Sequence, residues 1–593
     1  MKLRVLALDY DGTTAVNDAM DSGVRSAIAD ARARRIAVIL VTGRRLADLQ
    51  RVAGDLHFVD AVVAENGAVL HLPGSGYSTE LAPRPSESFL EELASRGVPH
   101  VPGECLVEAA AEHAHSVVDA IRSRELPLTI HFNRGRLMVL PQAISKATGL
   151  REVLTILRLS PRNSVGIGDA ENDHELLRAC ELGVAVGWGS PALRATADDV
   201  VEGTGPPALV PYLQRLIACG RVPAARASRR RLLLGHTDDG TPFSLSVRGR
   251  NVLVAGDARS GKSWVAGLLA EQLILHGYSV CVIDPEGDYR PLQALPGVVA
   301  LGGADPLPRP HELLHALQHA GSSVVLDLSH VHHAEKVQYT HAVLPALAML
   351  RRRTGLPHRI VVDEAHYFLN GAPVHELLDF RGNGYTLATY RASHLPKTVL
   401  DASEVILVTC ESDPAEVKAL HELCRSTESL DSWRTVLGGL GLGEAAALPI
   451  TEEAAASLRR IHLGLRLTHH VRHREKYVDV PVPETRGFVF SNRNVPNGLR
   501  ATTLKEFVAG LDAVPADVLE AHARRSDFSR WLREVFGDYT LALEVHALEG
   551  RSKDDRDPSA VAAIASAIRG RYDLTPDEGI PCGGASQESV SPS

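Results

Sequence analysis

Near the start of the chain, Asp9-Tyr10-Asp11-Gly12-Thr13 closes an apolar run over 3–8. An aspartate at a strand end, with a second two residues on, puts two carboxylates side by side in one loop. One can attack phosphorus, and the other can protonate the leaving oxygen and later activate water. Further pieces follow in order. Thr42-Gly43-Arg44 comes straight after the run 36–41 and offers a hydroxyl and amides to a phosphate. Lys146 follows, and then Gly168-Asp169-Ala170-Glu171-Asn172-Asp173 after the run 164–167. That string gives two acids that can hold Mg2+.

A second constellation handles phosphate differently. Gly256-Asp257-Ala258-Arg259-Ser260-Gly261-Lys262-Ser263 follows the apolar run 251–255 and precedes a helical pattern over 264–275. That is the G-x-x-x-x-G-K-S phosphate loop in its strand-to-helix setting. Gly256, Ser260 and Gly261 let backbone N–H groups wrap a β-phosphate at the helix N-terminus. Lys262 reaches the β and γ oxygens, and Ser263 coordinates Mg2+. The partner is the apolar strand 359–362, which ends in Asp363 and Glu364. Asp363 would bind Mg2+ through water and Glu364 would polarise the attacking water. The ligand implied is ATP.

Positioning these groups takes parallel α/β architecture. Residues 3–70 alternate short apolar runs with helical patterns, the texture changes over 84–140, and the α/β pattern resumes at Lys146. The expected organisation is a phosphatase-type core over 1–83 and 145–218, a small α+β cap insert over 84–144 and a linker over 219–231. A P-loop domain over 232–425 follows, with strands at 251–255, 279–283, 323–328, 359–362, 386–389 and 405–409. Beyond it come an irregular connecting region (426–499), a helical unit (500–573) and a tail (574–593) whose Gly, Ser, Pro and Glu content predicts disorder. The fold class is thus α/β, with two Rossmann-like or P-loop parallel-sheet domains in tandem.

The first set of motifs resembles the haloacid dehalogenase superfamily of phosphohydrolases. The insert between the second and third motifs, and Glu65-Asn66-Gly67 after the run 61–64, resemble its Cof-type branch. The resemblance implies Asp9 as nucleophile and Mg2+ ligand. Asp11 would be general acid and base and lend its backbone carbonyl to the metal. Thr42 and Lys146 would hold the phosphate, while Asp169 and Asp173 complete the metal shell. The small insert resembles the cap of archaeal-type phosphoglycolate phosphatases. The second set, with Leu232-Leu233-Leu234-Gly235-His236 before the P-loop and Asp284-Pro285-Glu286-Gly287-Asp288-Tyr289 after the next strand, resembles the HerA/FtsK-type ATPases. Many of those are hexameric motors that move DNA. The sensor position, usually glutamine there, is Tyr390 here, and Arg381 is a candidate finger toward a neighbouring subunit.

Bulk composition narrows the classes. With 593 residues, several cores are needed. A net charge of −9 and only 5% aromatics argue against a chain that is a nucleic-acid binder throughout. The 7 cysteines contain no C-x-x-C pair, which fits a reducing compartment. No apolar run reaches the ~18–20 residues of a membrane span, and Met1-Lys2-Leu3-Arg4 enters a strand directly, so a cytoplasmic protein is expected. The His330, His332 and His333 group, the His469, His470 and His473 group and the basic stretch 466–476 read as solvated or structural. The leading expectation is a Mg2+-dependent phosphohydrolase of a small phosphate monoester, fused to an ATP-hydrolysing module that can form a homo-oligomer. The alternative is an ATP-driven nucleic-acid motor with an accessory phosphatase domain.

Overall fold

The computed structural model describes all residues except 134, 224–229, 247–248, 258–259, 451–456, 470–481, 483–485, 492–497, 537–538, 555–558 and 573–593. Most of the 466–476 stretch, part of the expected linker, Ala258 and Arg259, and the tail therefore lie outside the described residues.

The first sheet has eight strands, in the order Asp199–Val201, Leu182–Val186, Ser164–Gly168, Val5–Asp9, Ala37–Val41, Ala61–Ala64, Val69–Leu72 and Tyr77–Glu80. The pairing is parallel through Ala61–Ala64, and the last two strands fold back antiparallel. Val5–Asp9 is buried along its whole length because helices cover both faces, which is why it reads as an unbroken apolar run. From this strand the chain winds outward first to one side and later to the other. The carboxyl ends of Val5–Asp9 and Ser164–Gly168 meet at the switch point, where open α/β sheets build their sites. This first part is a Rossmann-like α/β fold.

Between Tyr77–Glu80 and the helix Lys146–Ile156 stands a separate antiparallel sheet of Leu128–Asn133, Arg136–Pro141, Val107–Ala110 and His100–Pro102. Alternation along Arg136–Pro141 divides its side chains. Leu137 and Val139 pack with Phe89, Leu93 and Val117 of the insert's two helices, while Met138 and Leu140 join the core of the first domain. The insert thus presses one sheet face onto the catalytic domain. Its strands over 100–102 and 107–110 are short and went unread in the sequence.

The second sheet has eleven strands. Val405–Val408, Val252–Ala255, Tyr385–Thr389, Arg359–Val362, Val280–Asp284, Ser323–Asp327 and Val298–Gly302 lie side by side and parallel. Beyond Val405–Val408 the sheet continues antiparallel through Glu444–Ala447, Arg459–Leu463, Leu232–Thr237 and Pro242–Leu245. This corrects the expectation of irregular structure after 425. The helix Leu430–Gly438 and two strands there complete the sheet, and Trp433 is fully buried beneath them. Glu-Ala-Ala-Ala has helical preferences, but pairing on both sides makes it a strand. The remaining described chain is helical from Leu504 on, around Phe488, Phe490, Phe507, Phe528 and Trp531. Among the described residues no helix is long and apolar enough to cross a membrane.

Candidate functional site

Three segments far apart in sequence bring their charges together at the switch point. Lys146, the first residue of its helix, donates from Nζ to Asp9 Oδ1 at 2.5 Å and to Asp173 Oδ1 at 2.6 Å. The other oxygen of Asp173 accepts the backbone N–H groups of Asp169 and Ala170 at 2.9 and 3.0 Å. Thr13 donates to Asp169 Oδ1 at 3.1 Å, and Thr14 to the Asp9 carbonyl at 2.9 Å. Asp9, Asp169 and Asp173 are buried, and each offers an oxygen within 4.8 Å of the others. Burial and the neighbouring Asp173 raise the Asp9 carboxyl to about 7, against the pull of Lys146. Burial disfavours the Lys146 ammonium, yet Asp173 and Asp9 outweigh it and hold the group above the ordinary lysine range.

Hard, anionic oxygens packed this closely suit Mg2+, whose charge would relieve their mutual repulsion. The donor set therefore fits the metal. The Asp11 carboxylate stands apart from it. Arg44 grips Asp11 with two parallel bonds, Nε to Oδ2 at 2.7 Å and Nη2 to Oδ1 at 2.5 Å, and also holds Asp18 on the neighbouring hairpin. Thr42 is fully buried, and its hydroxyl accepts the Arg44 N–H at 3.1 Å.

Several participants stand in the motifs quoted from the sequence but had no role of their own there. Arg44 is one. Asn172 is another, donating from Nδ2 to Asn66 Oδ1 at 3.1 Å beside Gly43. Glu65 is a third. Its buried carboxylate accepts the backbone N–H groups of Glu104, Cys105 and Leu106 at 2.9, 2.8 and 3.2 Å, tying the insert to the catalytic domain. Glu65 and Asn66 both have positive φ, 51° and 54°. Next to them Gly67 has φ of 111°, and a Cβ there would lie 1.9 Å from the Ser145 carbonyl. That glycine lets the loop back directly onto the residue that caps the Lys146 helix. The string Glu65-Asn66-Gly67 was read only as a mark of the Cof-type branch, and Gly168 to Asp173 only for the acids that can hold Mg2+.

At the second site, the P-loop follows Val252–Ala255 and leads into the helix Lys262–Leu275, with Gly261 as cap at φ of 106°. Lys262 Nζ donates to the Asp257 carbonyl at 2.8 Å, and Ser260 Oγ to the same carbonyl at 2.7 Å. The loop is also fastened from outside by Asp257 N–H to the Cys410 carbonyl at 2.7 Å. Ser263 Oγ lies 3.4 Å from Asp363 Oδ2, so the hydroxyl and the carboxylate face one another across two strands. Glu364 is fully buried with φ of 44°. His366 sits beside it, Nδ1 3.5 Å from Glu364 Oε2 and 3.3 Å from Thr389 Oγ1. Tyr390, at the sensor position, packs edge-on to the His366 ring at 4.5 Å. Arg381 stands before the strand Tyr385–Thr389, toward the amino ends of the strands and away from the P-loop, where its carbonyl accepts from Arg221. After the next strand, the Asp284 carboxylate gathers the N–H groups of Gly287, Asp288 and Tyr289 at 2.8, 3.1 and 2.8 Å.

Comparison with known proteins supports both halves. Residues 6–100 and 99–205 match the haloacid dehalogenase-like hydrolases, and residues 234–338 match the central domain of the helicase HerA. A phosphoglycolate phosphatase of Methanosarcina acetivorans is 28% identical over 213 residues, covering 34% of this chain and 92% of the relative. One from Natronomonas pharaonis is 28% identical over 224 residues, covering 34% and 91%. Among solved structures, a haloacid dehalogenase-like hydrolase from Bacteroides thetaiotaomicron aligns with a TM-score of 0.33 and 16% identity, over 36% of this chain and 100% of that one. The chain thus joins a haloacid dehalogenase-like hydrolase domain of Cof type to a HerA-type P-loop ATPase domain. It is an enzyme of the phosphoric monoester hydrolase class.

Proposed function

We propose that this fusion of a haloacid dehalogenase-like hydrolase with a HerA-type domain is a Mg2+-dependent phosphatase of a small monoester, working through a phosphoryl group on Asp9. The observation that carries the reading is Lys146 bridging Asp9 and Asp173 inside a buried cluster with Asp169. Asp9 attacks phosphorus in line with the ester oxygen, which leaves with a proton from Asp11. Asp11 then takes a proton from water, and that water attacks the Asp9-bound phosphoryl group, freeing phosphate and restoring the Asp9 carboxylate and the protonated Asp11. For either role Asp11 must exchange its Arg44 partner for the reacting oxygen. Thr42 and Lys146 hold the phosphoryl oxygens. Asp9, Asp169, Asp173 and the Asp11 carbonyl would hold Mg2+, which when bound supplies positive charge against the phosphoryl oxygens.

The second domain, on this reading, binds and hydrolyses ATP. Gly256, Ser260, Gly261 and Lys262 cradle its phosphates, Ser263 and Asp363 serve its Mg2+, and Glu364 orients the attacking water. The relatives named phosphoglycolate phosphatase make 2-phosphoglycolate the first ester to test. A nucleic-acid motor with an accessory phosphatase is the second reading, favoured by the HerA match over 234–338.

A metabolite phosphatase screen with and without Mg2+ and ATP, run beside Asp9→Asn, tests the proposal. Turnover of p-nitrophenyl phosphate is expected for the wild type and lost in Asp9→Asn. An Asp9→Asn protein that still releases phosphate would show that the nucleophile is another group. ATP-dependent, salt-sensitive binding of duplex DNA would move the weight to the second reading.

A further inference from the structure

The two α/β sheets meet at the amino ends of their strands. On the phosphatase side the contact is made by Lys2, just before Val5–Asp9, by Arg162 and Asn163, just before Ser164–Gly168, and by Glu181, just before Leu182–Val186. On the ATPase side it is made by Tyr278, before Val280–Asp284, and His358, before Arg359–Val362. Every catalytic carboxylate sits at the opposite, carboxyl end of such a strand. The two sites therefore open in opposite directions, away from the contact.

The seam itself is polar and closed to water. The Glu181 carboxylate, 2% exposed, accepts the Tyr278 hydroxyl at 3.1 Å and lies 3.5 and 3.6 Å from the guanidinium groups of Arg162 and Arg230. Arg230, which precedes the first ATPase strand, also donates to the carbonyls of Arg178, Cys180 and Glu181 at 2.8, 2.9 and 3.1 Å, satisfying the end of the helix His174–Ala179. His358 accepts the Ser279 N–H on Nδ1 at 2.8 Å, so its proton is on Nε2 and is donated to Asn163 Oδ1 at 3.0 Å. Asn163 passes the link on, donating to the Lys2 carbonyl at 2.9 Å. Burial, with Arg162 and Arg351 nearby, keeps His358 neutral down to about 3, so the link persists at any physiological pH. Separating the domains would leave buried groups of both without partners, a cost that mere tethering by the linker would not incur.

We propose that the phosphatase and ATPase domains unfold and are stabilised as one cooperative body through this seam, so that nucleotide bound at the P-loop protects the phosphatase site from opening. The nucleotide arm rests on the ATP-binding reading given above; the seam does not. The test is hydrogen exchange followed by mass spectrometry on the full chain, across a urea series, with and without AMP-PNP and Mg2+. In the wild type, peptides covering Val5–Asp9 and Val280–Asp284 are expected to lose protection at the same urea concentration. At a hundred times its dissociation constant, AMP-PNP should slow both by a similar factor, about 100-fold. In Tyr278→Phe/Arg230→Ala, which touches neither site, the two midpoints should separate and only the ATPase strands should respond. Separate midpoints in the wild type, or AMP-PNP slowing only Val280–Asp284, would overturn the proposal. Coincident midpoints with no response to AMP-PNP would uphold the seam and sink ATP binding instead.

Discussion

Glu65 joins the insert to the catalytic domain through three backbone hydrogen bonds to one buried carboxylate, and replacing it should loosen the cap without touching the reacting groups. In Glu65→Gln the amide oxygen can still take Cys105 and Leu106, but the amide nitrogen then faces the Glu104 N–H and the negative charge is gone. A hydrogen bond to a charged group contributes about 1.5–3 kcal/mol, and a buried donor left unmade costs about 1–3 kcal/mol. Losing one bond and weakening two gives a destabilisation of roughly 3 kcal/mol. At an m value of about 3 kcal/mol/M, the upper end for urea and suited to two domains that open together, the urea midpoint for loss of the phosphatase site would fall by about 1 M. Phosphatase activity against urea follows the loss of the first domain's site, whether that domain opens by itself or together with the domain joined to it across the seam. The Michaelis constant for p-nitrophenyl phosphate should rise as well, because the insert's Met138 and Leu140 are seated on the catalytic core beside Leu106. A Glu65→Gln midpoint within about 0.3 M of wild type, with an unchanged Michaelis constant, would refute the reasoning.

Other expectations follow from single groups. Lys146→Met removes the cation shared by Asp9 and Asp173 and should lower phosphatase kcat by about 10²–10³-fold, with P-loop nucleotide binding intact by isothermal titration. Lys262→Ala should abolish ATP hydrolysis in a phosphate-release assay and leave p-nitrophenyl phosphate turnover in place. Glu411 is buried beside the P-loop, and burial with the Asp257 carboxylate raises it from 4.5 to about 9. Since the folded value lies above the unfolded one, this stability is fully present below about pH 4.5 and is lost as pH rises through about 9. Glu411→Gln should therefore flatten the fall in thermal midpoint between pH 6 and pH 9; parallel curves for the two proteins would contradict it.

Both candidate sites were legible where a buried apolar run leads into an acid. Val5–Asp9 and Arg359–Val362 read directly, because parallel strands covered on both faces leave no polar residue to break the pattern. What escaped depended on partners distant in sequence. Nothing local tells that Arg44 will hold Asp11, 33 residues away, or that Glu65 will collect amides about forty residues on. The strands Glu444–Ala447 and Val107–Ala110 escaped for another reason. Both are alanine-rich, and their state is set by the neighbours they pair with rather than by propensity. Tyr390 read as a missing sensor, but its edge-on contact with His366 puts an aromatic ring one residue removed from Glu364, a relation no spacing rule displays.

The strand that begins the ATPase sheet, Leu232–Thr237, is hydrogen-bonded to one that ends it, Arg459–Leu463, through Gly235 with Leu463, His236 with His462 and Thr237 with Ile461. Gly235 makes this approach possible, since a Cβ there would sit 1.8 Å from the His462 carbonyl. Entrance and exit of the chain are thus clasped together at one margin. A module built this way is closed on itself, with both chain ends at one side, so its neighbours in sequence need not be threaded through it. The clasp is a physical reason why a HerA-type domain could be set between a haloacid dehalogenase-like domain and a helical bundle: the polar seam to the first domain is added to a sheet whose two ends are already fastened to each other.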